Sequence, residues 1–264
     1  MKKNNTGTRN KERQFSEEEP VRLNKYLAQC GLGSRRACDE LIASGRIYLN
    51  GKRVKELGVR INPLKDKVSY KGKELTAVHT LEYWILHKPK GPLVTHHDPE
   101  GRETVFDYLK KQGKDLDRLN YVGRLDRNSE GLLLLTNDGS LIHGLTHPRY
   151  HIKKVYRIRI NRKLSPEHAY QMVNEGVLSK NQELHAGEIK TAESPSKGQH
   201  WYEVVLYEGK NRQIRRMFEE LGYTIVRLKR IQFGSLRLRT LPRGAFRQLT
   251  SREVAAMKSV GYRV

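Results

Sequence analysis

Gly123-Arg124-Leu125-Asp126-Arg127-Asn128-Ser129-Glu130-Gly131 runs directly into Leu132-Leu133-Leu134-Leu135-Thr136, and Asn137-Asp138-Gly139 follows. The second half reads as a buried strand over 131–136 that the Asn-Asp-Gly triplet turns. The first half is a polar turn that holds a carboxylate, Asp126, between two arginines. Turn residues mounted on a rigid strand are a usual place for catalytic groups. Flanking cations favour the ionised carboxylate, and an ionised, desolvated carboxylate is a nucleophile or a base. A salt bridge at the start of a strand would use the same residues, so local chemistry leaves the two readings level.

Working outward, Tyr83-Trp84-Ile85-Leu86 reads as a second buried strand, ended by Lys88-Pro89-Lys90-Gly91. A short helix is expected over 104–110. Residues 155–160 alternate, with Val155, Arg157 and Arg159 on one face and Tyr156, Ile158 and Ile160 on the other. Ser165-Pro166 opens a helix, and Asn211 is placed to cap another that runs to Leu221, with Gly222 behind it. Further strands are expected over 201–207, 224–228 and 231–238. Thr250-Ser251-Arg252-Glu253 is a capping box for a last helix. Strands outnumber helices without strict alternation, which predicts an α+β domain with a mixed, largely antiparallel sheet.

Upstream the pattern changes. Leu23, Tyr26 and Leu27 fall at helical spacing before Gly31, and Ser34 can cap a second helix that carries Cys38, Leu41 and Ile42 and ends at Gly45. Ile47-Tyr48-Leu49 then meets Asn50-Gly51, a strong hairpin signal, and Lys52-Arg53-Val54 returns. The expected organisation is a flexible leader over 1–19, a two-helix-plus-sheet domain over 20–76, a linker over 77–82 and the larger domain over 83–264.

The 264 residues hold 51 Lys and Arg against 29 Asp and Glu, a formal net charge of +22. Such a balance favours a polyanionic partner, either nucleic acid or an anionic membrane surface. The excess has two centres. Residues 21–80 carry 13 basic and 5 acidic groups, net +8, and residues 201–264 carry 14 and 5, net +9. Both regions have folding patterns, so basic folded surfaces that bind nucleic acid are expected rather than a charged tail. No apolar run approaches the length of a membrane span. Cys30 and Cys38 cannot build a disulfide framework, which fits a reducing, cytoplasmic setting. No phosphate-cradling G-x-x-x-x-G-K-[ST] loop, dinucleotide fingerprint or G-x-S-x-G elbow occurs. Asp115 and Asp117 read as a solvated loop. His143, His147 and His151 have a ligand-like spacing, but Pro148 should break the helix that would align them. No metal or cofactor site is expected.

Residues 123–137 match G-R-L-D-x-x-[STA]-x-G-L-L-L-L-[ST]-[DN] at every fixed position, and so resemble the signature of the bacterial rRNA pseudouridine synthases of the RsuA/RluB family. His87-Lys88-Pro89-Lys90-Gly91 resembles that family's N-K-P-x-G opening, with His87 in place of Asn. Lys154-Val155-Tyr156 resembles its K-x-Y strand, and the stretch from Glu208 to Met217 its basic third motif. Residues 20–75, with Gly33-Ser34-Arg35-Arg36 intact, resemble the S-four-type RNA-binding domain that precedes the catalytic domain. The stretches 230–234 and 241–244 lean towards the branch that acts on large-subunit rRNA; small-subunit rRNA is the alternative target, and a non-catalytic ribosome-assembly factor the alternative of another class.

The resemblance implies a cofactor-free isomerisation of a uridine in structured rRNA, with the nucleotide flipped out of its stack. It makes Asp126 the catalytic carboxylate, and leaves open whether that group attacks the base, attacks C1′ or removes the 2′ proton. It makes Tyr156 the ring that packs on the flipped base and Arg215 the partner of Asp126. Arg212 is assigned to RNA or structural contacts, and Arg124 is a weaker candidate for the same pocket. Lys154 is either a phosphate contact or a solvated strand residue. In the small domain Arg35 and Arg36 sit in a helix first turn, where cations oppose the helix dipole; phosphate binding, aided by Lys52 and Arg53, accounts for that cost. A monomer without membrane association is expected.

Overall fold

The computed structural model describes residues 20–77 and 80–261. The expected leader, 1–19, lies outside the described residues. The chain divides into two units between Leu81 and Glu82. Ala77, expected in the linker, packs into the core of the first unit. The Glu82 amide already donates to the Asn137 side chain of the second, at 2.9 Å.

In the first unit the helices Leu23–Gln29 and Arg35–Ala43 pack over a four-stranded sheet in the order Lys52–Val54, Ile47–Leu49, Val68–Tyr70, Lys73–Glu74. Leu23, Leu27, Cys38, Ile42, Ile47 and Val68 are the shared core. Burial of each large aliphatic chain there contributes about 1.5–3 kcal/mol. Gly31, at φ +82, closes the first helix: its amide donates to the Ala28 carbonyl and that of Leu32 to Leu27, satisfying two terminal carbonyls. Ser34 accepts from the Ala37 amide at 3.2 Å and starts the second helix.

The second unit is built on a nine-stranded sheet. From one edge its main path runs Glu188–Thr191, His200–Leu206, Lys154–Ile160, Ile225–Phe233, Glu130–Thr136, Tyr83–Lys88, Phe246–Gln248. All strand pairings are antiparallel except one, where Lys229 and Arg230 run alongside Glu130 and Gly131. Trp84, Leu86, Leu133 and Leu135 pack with Leu125 and with Val105, Phe106 and Leu109 of the helix Val105–Lys111. Ile85, Leu132 and Leu134 point the other way, onto Leu141 and Leu145 of the helix Gly139–Thr146 and onto Met257. In the other half of the sheet Ile158, Val204 and Leu228 pack under Ile214, Met217 and Phe218 of the helix Gln213–Glu220. Tyr156 packs against both this cluster and the one that holds Leu125, so the two share one face of the sheet.

Four local expectations differ from the structure. Asp138 is a helix cap as well as a turn residue: its carboxylate accepts from the Leu141 amide at 3.0 Å and opens Gly139–Thr146. Asn211 does not cap its helix, because the chain turns left-handed one residue later, at Arg212 with φ +47, and the helix begins at Gln213. The two strands expected over 224–238 are one, Ile225–Phe233, with a short Leu236–Arg237 hairpin return. Several short strands, among them Asn120–Val122 and Phe246–Gln248, carry no apolar alternation long enough to announce them.

Candidate active site

The strand Asn120–Val122 pairs with the far end of Glu130–Thr136, Val122 lying opposite Leu134. Residues 123–129 are therefore a detour out of the sheet, tied at both ends to the same strand. Gly123 turns the chain away at φ +68. Leu125 anchors the detour in the apolar core. The Ser129 amide donates to the Asp126 carbonyl at 3.0 Å and closes the turn. Asp126 is left half-buried at the tip.

The loop is braced from beneath by Lys88. Its side chain is 0 % exposed, and its ammonium donates to the carbonyls of Pro89 at 3.0 Å, Asp126 at 3.3 Å and Ser129 at 3.1 Å, with Arg127 at 3.5 Å. Burial pushes this amine down to about 8, against the pull of Asp126 and Glu130. The Gly91 amide adds a bond to the Arg127 carbonyl at 3.0 Å. The K-P-x-G segment is thus the floor of the Asp126 loop. Sequence reasoning quoted Lys88 and gave it no role; its place at the end of a wholly buried strand was the available signal.

The exit of the loop is just as constrained. Gly131 has φ +118, and a Cβ there would lie 2.2 Å from the Arg230 carbonyl oxygen. Only glycine lets the two parallel strands close at this point. Arg230, 2 % exposed, donates from Nε to the Leu132 carbonyl at 2.8 Å and lays its guanidinium 4.8 Å from the Phe233 ring centre. Glu130 is fully buried and ion-paired with Arg227.

Of the expected catalytic residues, Tyr156 stands partly buried on the face that carries Leu125. Arg215 reaches the same loop, but its Nη2 donates to the Asn128 carbonyl at 3.1 Å, not to Asp126, and no ion pair joins the two. Its cation still feels the Asp126 carboxylate, which opposes the lowering caused by burial and by Arg212. The neighbouring Arg216 points elsewhere, to Ser179 and to Gln182 at 2.9 Å, and holds the hairpin of Val177–Ser179 and Gln182–Leu184. Arg212 is exposed and 3.4 Å from Glu219. Arg124 is exposed. Lys154, for which a phosphate contact and a solvated position stood open, turns inward: Nζ donates to the Ile152 carbonyl at 2.9 Å, and burial lowers the amine to about 8. His87, in the place of the usual Asn, is buried with Nδ1 2.8 Å from the Leu241 carbonyl, so it ties the K-P-x-G strand to the segment 241–244.

In the first unit Arg35, Arg36, Lys52 and Arg53 are all exposed. Arg53 donates to the Tyr48 hydroxyl at 3.2 Å. The Asn50-Gly51 turn, with φ +51 and +79, presents Lys52 and Arg53 on the returning strand. Among the described residues no group of three or more His, Cys, Asp or Glu side chains is placed to hold a metal ion, and no helix is long and apolar enough to cross a membrane.

Residues 82–220, the loop and its braces included, match the RNA pseudouridylate synthase family. The chain is a member of that family. Residues 21–67 match the S4 domain. The ribosomal large subunit pseudouridine synthase B of Bacillus subtilis is 35% identical over 240 residues, covering 90% of this chain and 96% of that protein. The protein of the same name from Pseudomonas aeruginosa is 37% identical over 238 residues, and the chain spans only 60% of its length. A crystal structure of a pseudouridylate synthase superposes with a TM-score of 0.60 at 28% identity, covering 90% of this chain and 99% of that one. As a pseudouridine synthase, the chain pairs an RNA-binding S4 domain with a mixed-sheet catalytic unit; the patterns predicted the mixed, largely antiparallel sheet, and the resemblance implied the two kinds of domain.

Proposed function

We propose that this pseudouridine synthase isomerises a uridine of large-subunit ribosomal RNA, with Asp126 as the catalytic carboxylate. The observation that carries the reading is the construction of the 123–129 loop, where the buried Lys88 ammonium, the Gly131 approach and the Leu125 anchor all serve to fix one half-buried carboxylate. The names of the relatives supply the rRNA class. In the reaction the N1–C1′ bond breaks, the uracil rotates and C5 bonds to C1′; the C5 proton leaves and N1 gains one. Nothing is consumed, and the residues needed are those that hold a flipped base and a carboxylate. Tyr156 supplies a flat surface for the base, with a hydroxyl that serves the C5 proton. Arg215 holds the loop at Asn128 and keeps positive charge near Asp126. Arg35, Arg36, Lys52 and Arg53 supply phosphate contacts that position the RNA. The protein works as a monomer in the cytoplasm, where its substrate is made.

The test is carbodiimide mapping of rRNA from cells with and without the gene, together with tritium release from C5-labelled large-subunit transcript. The expected result is one site lost from large-subunit rRNA, and no release by Asp126→Asn with RNA affinity nearly retained, because phosphate contacts dominate it. Loss of a small-subunit site would redirect the substrate. Wild-type release by Asp126→Asn, or unchanged rRNA, would overturn the catalytic reading.

A further inference from the structure

The strand that presents Tyr156 to the catalytic loop turns Val155, Arg157 and Arg159 to the opposite face of the sheet. The ladder multiplies the charge there. Arg159 lies opposite Arg227, and Arg157 opposite Lys229. Like charges set directly across a ladder are destabilising, and the fold does this twice in succession. Compensation is partial: Arg227 is paired with Glu130, and Glu203 flanks Arg157 from the other neighbouring strand. The Nε atoms of Arg157 and Arg159 are buried without a hydrogen-bond partner among the described residues. Next to this ladder is a groove of about 420 Å³ whose lining includes Lys153, Lys190, Arg237 and Arg239, with Glu188 and Glu203. Ladder and groove together set eight cations against three carboxylates. Val155, Trp201 and Val205 are buried here yet belong to none of the unit's apolar cores; long cationic side chains covering apolar surface account for that.

We infer that this face is a second RNA-binding surface, which takes the phosphate backbone of a helical arm of the same RNA while the target uridine occupies the Asp126 face. The inference rests on the reading that the substrate is structured rRNA. A duplex fits better than a single strand. Single-strand binders offer aromatic faces for bases, and the ring of Trp201 is capped by the Arg157 guanidinium at 5.3 Å from its centre. What remains is a field of cations, the chemistry that meets a helical backbone.

The test uses the full chain and a large-subunit rRNA transcript. Lys153, Arg237 and Arg239 are exposed, and among the described residues their side chains make no hydrogen bond or ion pair. The triple variant Lys153→Gln, Arg237→Gln, Arg239→Asn therefore spares the fold, with Asn chosen because position 239 has φ +48. Its affinity should fall about tenfold at physiological salt, and the slope of log K against log salt should become shallower by roughly 2–3. Turnover at saturating RNA should stay unchanged, so the defect appears in KM and not in kcat. The counter-variant Glu203→Gln removes a carboxylate from the same face and should tighten binding, a result that misfolding cannot imitate. Unchanged slopes in both variants would overturn the inference. So would a defect seen only with ribosomal particles and not with the naked transcript, since that assigns the face to a protein. Pseudouridine formation by the wild type is scored in the same samples, so failure of the substrate reading is seen separately from the slope comparison.

Discussion

Lys88→Met separates what the buried ammonium does for the loop from what it does to stability. The side chain is wholly buried and its amine is lowered to about 8 by burial, against roughly 10.4 in an unfolded chain. Below pH 8 both states carry the proton, and the folded protein bears the full cost of enclosing a charge. Between about 8 and 10.4 the folded state has lost the proton and the unfolded state has kept it. Unfolding then takes up a proton, so stability rises with pH across that window. The rise attributable to Lys88 is about 3 kcal/mol, from 1.36 kcal/mol per unit of difference. The substitution removes this component. It also leaves the Ser129 and Pro89 carbonyls without the ammonium, at about 1–3 kcal/mol each. At pH 7 loss and gain nearly offset, and the variant should lie within about 3 kcal/mol of wild type. Urea unfolding of both proteins at pH 7 and 10 should show the gap between them widening by about 3 kcal/mol in favour of wild type. Lys154 titrates in both proteins and cancels in the difference. Turnover should behave oppositely: kcat of the Lys88→Met variant falls at least tenfold at pH 7 because the loop loses its floor, and wild-type kcat declines above pH 8 as the ammonium loses its charge. RNA affinity is untouched. A gap that does not change with pH would refute the buried-ammonium argument, and a wild-type kcat in the variant would refute the bracing role.

Arg215→Met should lower kcat by about a hundredfold with little change in RNA affinity, since the bond lost is to the Asn128 carbonyl of the Asp126 loop; single-turnover tritium release against filter binding reads the split, and a pure affinity defect would move Arg215 to RNA contact. Tyr156→Phe keeps the packing against both apolar clusters and should slow turnover while the melting temperature and RNA binding hold; unchanged turnover would leave only the ring as functional. Gly131→Ala drives a Cβ to 2.2 Å from the Arg230 carbonyl, and strain plus overpacking of about 3–5 kcal/mol should lower Tm by roughly 10 °C or more. Calorimetry that shows a Tm within a few degrees of wild type would mean the parallel junction yields easily.

Local chemistry was legible in the sequence at two places where a single turn of chain decides the geometry and one reading fits the residues. Asn50-Gly51 could be read because both positions take positive φ, +51 and +79, which few other residues tolerate. Thr250 and Glu253 could be read because their capping bonds close within four residues. Asp138 misled because the same side chain suits a turn and a helix cap. The 224–238 region was split in two because Lys229-Arg230 looks like solvated punctuation, whereas Arg230 is buried by the Leu132 carbonyl, 98 residues away in sequence. Lys88 was passed over for the same reason: the Asp126 and Ser129 carbonyls it meets lie 38 and 41 residues downstream. The motif singled out Asp126 and Arg215 as candidates, but which atom of the loop the guanidinium meets depends on where an independent helix docks. Charge counts located two basic regions without showing that strand pairing would set Arg157 against Lys229.

The one parallel pairing in the sheet joins Gly131 to Arg230, and this sets the order in which parts of the chain can close as it is made. A parallel partner cannot come from a neighbouring hairpin; it must wait for distant chain. The Asp126 loop therefore has no fixed exit until residue 230 has left the ribosome, and Tyr156 and Arg215 are both made before that moment. The S4 unit, complete by residue 77, is free to fold long before. A chain made from its N-terminus can thus complete the core of its S4 unit about 150 residues before the segment that closes the exit of the Asp126 loop exists.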